Sequence, residues 1–216
     1  MTAARTAGRA PAVRATRALG AALASGVLSL TVTGREQVPT TGTILLAGNH
    51  SGLLDGPLVY LLSPRPVAML AKSELYVGRW PPVLDALGLI PVHRGTADRA
   101  ALQRGLAHLA AAGALCVFPE GTRGSGDLAR IADGLAYLAL RSGAAVVPVA
   151  VSGTALALPR GARLPRLRAP VRIAFGAPVT LTVEGDPRAR RTLSTAAEQL
   201  RLALLDHLQA STGALT

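Results

Sequence analysis

The sequence predicts a single α/β domain with a central mixed, largely parallel sheet flanked by helices. Short apolar runs alternate with segments in which leucines recur at helical spacing, and this alternation is typical of α/β domains. The 216 residues suit one domain of ordinary size. Because no internal repeat and no long linker interrupts the pattern, we expect one folded unit.

Seven apolar runs predict the strands, at residues 27–33, 43–48, 67–71, 87–92, 114–118, 145–151 and 171–175. Three segments have helical periodicity, at residues 97–112, 128–142 and 188–209. Thr96 is a candidate N-cap for the first helix, and Gly113 and Gly143 follow the first and second helices as stop signals. Pro119 and Pro148 cannot donate a ladder hydrogen bond, so we expect each at a strand end, a bulge or an edge.

Residues 1–26 form a basic segment that we expect to associate with a membrane. Four arginines precede an uncharged stretch at residues 18–34, which is slightly short and poor in Leu and Phe for a membrane span. A signal peptide and a frayed tail are the alternatives. Because no good cleavage pattern follows, we prefer a basic amphipathic helix on the membrane surface. Residues 27–216 would then form the folded domain.

The chain is strongly basic, and nearly all of its positive charge comes from arginine. Lys and Arg number 23 against 12 Asp and Glu, which gives a net charge of +11, and Lys72 is the single lysine. Such a chain attracts nucleic acid, anionic lipid headgroups or phosphorylated substrates. Nucleic acid is disfavoured because only 3% of the residues are aromatic and no nucleic-acid-binding motif is present.

Several other classes of site are disfavoured by residue content. The single cysteine, Cys116, excludes a disulfide framework and a multi-thiol metal site, and its apolar surroundings indicate a small core residue. A dinucleotide-like glycine spacing at residues 124–129 lies too late in the chain for an early βαβ unit. No Gly-x-Ser-x-Gly elbow of a serine hydrolase occurs.

Residues 159–172 contain five arginines and no acid, which predicts an exposed basic loop leading into a strand. Lipid phosphates or an acidic carrier protein would suit this loop as partners. A solvated arginine-rich loop without a partner is the alternative.

The first candidate catalytic group follows the strand at residues 43–48. Asn49 and His50 come directly after it, and Asp55 lies five residues beyond His50. A carboxylate at this spacing can return through a turn and accept the hydrogen of His Nδ1, which leaves Nε2 free to take a proton. A base placed in this way typically accelerates attack by a hydroxyl about 10²–10⁴-fold. A surface histidine beside an aspartate is the alternative.

Two further polar groups follow the strands at residues 87–92 and 114–118. Arg94 after the first could bind a phosphate through two parallel hydrogen bonds. After the second, Glu120 could orient Arg123, and the backbone N–H groups of Gly121 and Thr122 could stabilise an oxyanion. The alternative for the second group is that its residues only form a turn and bind nothing. Because all three groups follow apolar strands, we expect them to meet at one edge of the sheet.

Together these groups resemble the motifs of the glycerolipid acyltransferase family, the 1-acylglycerol-3-phosphate acyltransferase-like enzymes. The Asn-His-x4-Asp motif is matched by Asn49, His50 and Asp55, and the Gly-x-Ile-x3-Arg motif by Gly88, Ile90 and Arg94. The third motif is matched by residues 118–123, Phe-Pro-Glu-Gly-Thr-Arg, and residues 146–149 and 34–39 resemble the fourth motif and the lead-in to the first. The similarity spans residues 27–175, most of the chain.

The resemblance implies an acyltransferase in which His50, oriented by Asp55, is the general base. It would deprotonate the acceptor hydroxyl, which attacks the acyl thioester without forming an acyl-enzyme. The substrate, chiefly the acceptor phosphate, would be bound by Asn49, Lys72, Arg94, Glu120, Gly121, Thr122 and Arg123. No metal and no cofactor are expected.

The resemblance also implies that residues 27–216 form an acyltransferase domain, and it indicates the substrates of that domain. Acyl-CoA or acyl carrier protein would be the donor, and lysophosphatidic acid the default acceptor. Glycerol 3-phosphate, another lysophospholipid or a lipid amine are alternative acceptors, and a non-catalytic lipid-binding relative is the remaining alternative. We expect a peripheral protein on anionic lipids at the cytoplasmic face of the cell membrane. The chain departs from the common family pattern at Gly52 and His93, and lacks a Phe-Lys pair before Gly134.

Overall fold

A seven-stranded sheet forms the centre of the computed structural model, which describes residues 10–93, 98–121, 125–186 and 188–213. The strands are β1 Ser29–Thr33, β2 Ile44–Gly48, β3 Ala68–Lys72, β4 Leu89–Val92, β5 Ala114–Val117, β6 Ala145–Ser152 and β7 Pro170–Phe175. Their order in the sheet is β1-β7-β6-β2-β5-β3-β4. Neighbouring strands are parallel except β6 and β7, which pair antiparallel. The predicted α/β domain with a mixed, largely parallel sheet is confirmed.

Helices cover both faces of the sheet. They are α1 Ala10–Val27, α2 Asp55–Leu62, α3 Pro81–Ala86, α4 Arg99–Ala110, α5 Asp133–Ser142, α6 Thr154–Ala157 and α7 Arg190–Gly213. The central strand β2 is buried along its whole length, with Ile44 and Leu46 in the core beneath α1 and α2. Leu45 and Ala47 belong to the opposite core, which α4, α5 and α7 cover. A strand covered on both faces reads as a continuous apolar run, which is why the sequence predicts it so clearly.

The helix starts differ from the prediction. Asp98 is the N-cap of α4, because its Oδ1 accepts the N–H of Ala101 at 2.9 Å, whereas the predicted cap Thr96 lies outside the described residues. Helix α5 begins at Asp133 and not at residue 128, since Leu128 has a φ of 55°, which is incompatible with an α-helix. Helices α2, α3 and α6 were not predicted, and each spans eight residues or fewer, too short for a periodic signal.

Pro148 lies in the middle of the central strand β6, so the expectation of a strand end, bulge or edge is wrong at this residue. Its carbonyl accepts the N–H of Gly176 at 2.8 Å. The N and O of one strand residue point to the same side, so the nitrogen of Pro148 also points toward the end of β7. Ladder pairing with β7 starts one residue later, at Val149, so the missing N–H of Pro148 lies just outside the paired residues of β6 and β7.

Helix α1 is fixed to α2 by the buried side chain of Arg17. Its Nε donates to the carbonyl of Tyr60 at 2.9 Å, and its Nη2 donates to the carbonyl of Ser63. Carbonyls at the end of a helix lack intrahelical partners, and Pro64 has no N–H to offer Tyr60. Residues 10–27 therefore form a helix anchored on the domain, and membrane contact by this segment stays a prediction. None of the described helices is long and apolar enough to cross a membrane.

Candidate active site

The candidate active site lies at the edge of the sheet where the parallel strands end. His50 follows β2, Lys72 ends β3, and Glu120 follows β5. Because these strands are parallel to each other, their carboxyl ends meet at this one edge, the usual place for sites in α/β folds. The expected convergence is therefore present for these three residues. Arg94, Thr122 and Arg123 lie outside the described residues.

His50 and Asp55 form a closely hydrogen-bonded pair. Nδ1 of His50 lies 2.8 Å from Oδ2 of Asp55, with 10% of the His50 side chain and 0% of the Asp55 side chain exposed. The same Oδ2 accepts the N–H groups of Ser51 and Gly52, at 2.8 and 2.7 Å. Asp55 is also the first residue of α2, where the positive end of the helix dipole favours a carboxylate. A fully buried carboxylate needs hydrogen-bond partners, and the turn from residue 50 to 55 supplies them while it holds Asp55 against the imidazole.

Thr154 is a member of the site that the sequence did not reveal. Its Oγ1 donates to Oδ1 of Asp55, the carboxylate oxygen that His50 does not use, and its side chain is fully buried. A Cβ added at Gly52 would lie 2.5 Å from this Oγ1 and 2.8 Å from the nitrogen of Ala155. The departure from the family pattern at Gly52 therefore makes room for Thr154 and α6. Thr154 lies 99 residues from Asp55, and only the pairing of β6 with β2 brings the two together.

Phe118 fixes the plane of the His50 ring. It stacks on His50 with ring centroids 4.5 Å apart and an interplanar angle of 27°. Gly48 opposite has no side chain, and an added Cβ there would lie 3.1 Å from the Phe118 ring. Asp55 and Phe118 thus constrain the imidazole on two sides. Nε2 has no hydrogen-bond partner within the described part of the chain, so it is available to take a proton from a substrate.

Asn49 and Glu120 hold the backbone around His50. The side-chain amide of Asn49 donates to the carbonyl of Val151 at 2.9 Å and accepts its N–H at 2.8 Å, which ties the turn after β2 to β6. Oε1 of Glu120 accepts the backbone N–H of His50 at 2.8 Å. Burial raises the pKa of Glu120 above its ordinary value. Substrate binding by Asn49 and Glu120 stays a prediction, and both contribute to positioning the base.

Gly121 and Lys72 lie at the same edge without touching the histidine pair. The N–H of Gly121 donates to the carbonyl of Phe118 at 3.1 Å, and its φ of 69° is left-handed. This amide therefore donates within the turn, and oxyanion binding by Gly121 stays a prediction. Nζ of Lys72 lies 3.3 Å from Oε1 of Glu74 on the surface. Exposed pairs of this kind are weak, and substrate binding by Lys72 stays a prediction.

His93 and Asp98 are also five residues apart and form a second pair, so comparison with them shows which features are particular to His50 and Asp55. Nδ1 of His93 lies 3.0 Å from Oδ2 of Asp98, but the His93 side chain is 73% exposed. Hydrogen bonds from the backbone and ring of His93 and from Ala101 hold the pKa of Asp98 far below its ordinary value. Here the aspartate caps α4, and no aromatic ring packs on the histidine among the described residues. Burial, the stacked ring and the threonine therefore define the candidate base, and spacing alone does not.

The family model of acyltransferases matches residues 29–152, more than half of the chain, and this span contains the histidine pair and the turn at Glu120. The chain belongs to the acyltransferase family. The resemblance to glycerolipid acyltransferases is thereby confirmed. The fold of this acyltransferase is similar to the crystal structure of the 1-acyl-sn-glycerophosphate (LPA) acyltransferase PlsC from Thermotoga maritima. The TM-score is 0.70 at 23% sequence identity, over 95% of this chain and 83% of that chain. A comparison with curated proteins found no match.

Proposed function

We propose that this acyltransferase moves a fatty acyl group from acyl-CoA or acyl carrier protein to the free hydroxyl of 1-acylglycerol-3-phosphate, a step of phospholipid synthesis. The observation that carries the proposal is the buried pair of His50 and Asp55, in which Nε2 has no partner among the described residues. The similar fold of a lysophosphatidic acid acyltransferase supports the choice of acceptor.

The reaction needs one base and no covalent enzyme intermediate. Nε2 of His50 takes the proton of the acceptor hydroxyl, and the oxygen attacks the thioester carbonyl carbon. Asp55 stabilises the imidazolium that forms. The tetrahedral intermediate collapses, the C–S bond breaks, and the leaving thiolate takes the proton from His50. The products are an ester and a free thiol, and His50 returns to its neutral form.

Basic residues at the same edge would bind the phosphate of the acceptor. Lys72 ends β3, and Arg94 and Arg123 follow the neighbouring strands β4 and β5 in sequence. A guanidinium binds phosphate through two parallel hydrogen bonds, and an ammonium acts as a point charge. The proposed step requires neither a metal nor a cofactor. Within the described residues, no three His, Cys, Asp or Glu side chains are grouped so as to hold a metal ion.

The proposed substrates are lipids, so the enzyme would work as a peripheral protein on the cytoplasmic face of the cell membrane. The net charge of +11 favours anionic lipids there, and we propose no nucleic-acid partner. Acyl-CoA or an acyl carrier protein would arrive from the aqueous side.

Acyl transfer by the purified protein tests the proposal. Labelled acyl-CoA, or labelled acyl carrier protein in parallel, is mixed with lysophosphatidic acid, glycerol 3-phosphate, another lysophospholipid or a lipid amine. His50→Gln and Asp55→Asn should abolish or strongly reduce turnover, and Asp206→Asn, exposed on α7, is the matched control. Product from a different acceptor would reassign the substrate. Lipid binding without turnover on any donor would overturn the proposal in favour of a non-catalytic relative.

A further inference from the structure

A groove of about 260 Å³ lies between the strands β1, β7 and β6 and the last turns of α7. The strands form its floor, and their register places Thr31, Arg172 and Ser152 side by side in one row. The next row consists of smaller side chains, those of Thr33, Ala174 and Ala150. We call this feature the Arg172 groove.

The Arg172 groove is on the face of the sheet opposite α2, the helix that begins at Asp55. Val151 and Ile173 belong to the core beneath α1 and α2. Successive side chains of a strand point to opposite faces, so Ser152 and Arg172, each next to one of these residues, face the other side. The groove is therefore separated from the histidine pair by the sheet itself.

Arg172 differs from the other arginines of the predicted basic segment at residues 159–172. Those four are exposed and precede β7, whereas Arg172 lies within β7 and is partly buried. Among the described residues its guanidinium has no hydrogen-bond or ion-pair partner, and no acidic side chain lines the groove. A partly desolvated cation without a counterion favours an anion as the ligand of this groove.

Hydroxyl groups on the floor supply further donors. The side chains of Thr31, Thr33 and Ser152 have no hydrogen-bond partner within the described part of the chain, so their O–H groups are available to a ligand. The hydroxyl of Ser211 in the wall, in contrast, already donates to the carbonyl of His207 at 2.7 Å. The free donors are therefore gathered on the floor around the one guanidinium.

We propose that the Arg172 groove binds the phosphate group of a small molecule, either inorganic phosphate or a small phosphate monoester. A guanidinium donates two parallel hydrogen bonds to two oxygens of a phosphate. A phosphate monoester has three terminal oxygens, which leaves acceptor sites for the hydroxyls of Thr31 and Ser152 on either side, whereas a carboxylate has only two.

The size of the groove sets an upper limit on the ligand. About 260 Å³ is the liquid volume of roughly nine water molecules. A molecule such as glycerol 3-phosphate is of this size, and a whole lysophospholipid or acyl-CoA is much larger. The proposed site therefore differs in place and in ligand size from the candidate active site, and it does not depend on the proposed reaction.

A different role for Arg172 is to balance the end of α7. The carboxyl end of a helix has partial negative charge and attracts a cation. This alternative accounts for the guanidinium, but it gives no role to the free hydroxyls of Thr31 and Ser152 beside it. It also predicts no binding of phosphate, so the two roles can be separated by experiment.

Amide NMR on the isotope-labelled full-length protein, of 22.0 kDa, tests the proposal. The protein is titrated with inorganic phosphate or glycerol 3-phosphate, and sodium chloride keeps the ionic strength constant. The backbone signals of Thr31, Ser152 and Arg172 should shift together with one Kd. Arg172→Gln should weaken binding at least about tenfold, and Thr31→Val or Ser152→Ala by about two- to tenfold. Arg141→Gln, at an exposed arginine of α5, is the matched control and should bind as the wild type does.

The outcomes identify the ligand and the site. Tighter binding of glycerol 3-phosphate than of inorganic phosphate would identify a monoester, and equal affinity would identify free phosphate. Shifts confined to signals near His50 and Lys72, and unchanged in Arg172→Gln, would place the phosphate at the candidate active site and overturn the proposal. Equal weakening by Arg172→Gln and Arg141→Gln would also overturn it, because only net charge would then matter.

Folding and catalysis are kept apart from this result. If Arg172→Gln does not fold, Thr31→Val and Ser152→Ala carry the test, because they keep the charge and remove single hydroxyls. A wild type that shows no phosphate-dependent shift of these signals would leave Arg172 as a partner of the end of α7 and overturn the site. Since no turnover is measured, the result stands whether or not acyl transfer is observed.

Discussion

Replacing Thr154 by valine removes its hydrogen bond to the Asp55 carboxylate, together with a longer contact of 3.4 Å to Oγ of Ser51. Valine has the shape of threonine with a methyl group in place of the hydroxyl. Among the described residues, four hydrogen bonds reach the Asp55 side chain: three fall on Oδ2, and Thr154 supplies the one on Oδ1. The substitution therefore leaves one oxygen of a fully buried carboxylate without its donor.

The size of the effect follows from that loss. A hydrogen bond to a charged group contributes about 1.5–3 kcal/mol. We expect the free energy of unfolding to fall by an amount in this range. If the lower figure is also lost in the transition state, where Asp55 must hold the imidazolium in place, kcat falls roughly tenfold.

Turnover and stability are measured together on three proteins. Thr154→Val should lower kcat with little change in KM for the acceptor, because Thr154 contacts Asp55 and acts on the proposed base only through it. Thr154→Ser restores the hydroxyl and should recover most of the turnover. A valine variant with normal kcat and a normal pH profile, but lower stability, would refute the positioning role and leave Thr154 as a core residue only.

Three further predictions concern Gly52, Cys116 and Glu120. Gly52→Ser places an atom 2.5 Å from Oγ1 of Thr154 and should lower the free energy of unfolding by roughly 1–3 kcal/mol, measured by urea denaturation. Gly26→Ser, with no atom within 4 Å, should not lower it. Burial raises the pKa of the Cys116 thiol to about 12, so a thiol reagent at about pH 8 should label the protein only after unfolding. Labelling of the native protein would show that this thiol is reachable. Because burial raises the pKa of Glu120, the folded protein holds that proton more tightly than the unfolded chain does. The resulting stabilisation is complete below the ordinary glutamate pKa and is lost as pH rises through the raised value. Urea unfolding between about pH 4 and pH 8 should show this loss in the wild type and less of it in Glu120→Gln. Equal pH dependence in the two proteins would contradict it.

The sheet could be predicted from the sequence because each buried strand is a short apolar run bounded by polar residues. The pair of His50 and Asp55 could be predicted as well, since five residues separate its members and a turn closes that distance. The other contacts of the site have no local signal. Thr154 reaches Asp55 across 99 residues, and Asn49 reaches Val151 across 102. Such contacts depend on strand order, which the spacing of residues along the chain does not specify.

The buried guanidinium of Arg17 has a practical consequence for any shortened form of this protein. A chain that starts after α1 would lose the donors for the carbonyls of Tyr60 and Ser63, and Pro64 has no N–H to offer Tyr60 instead. These carbonyls end the helix whose first residue is Asp55. Deleting the N-terminal segment would therefore disturb the catalytic helix and remove the outward-facing leucines in one step. Point substitutions at the exposed Leu19 and Leu23, which leave Arg17 in place, would test the predicted membrane contact of this segment without disturbing the helix that carries Asp55.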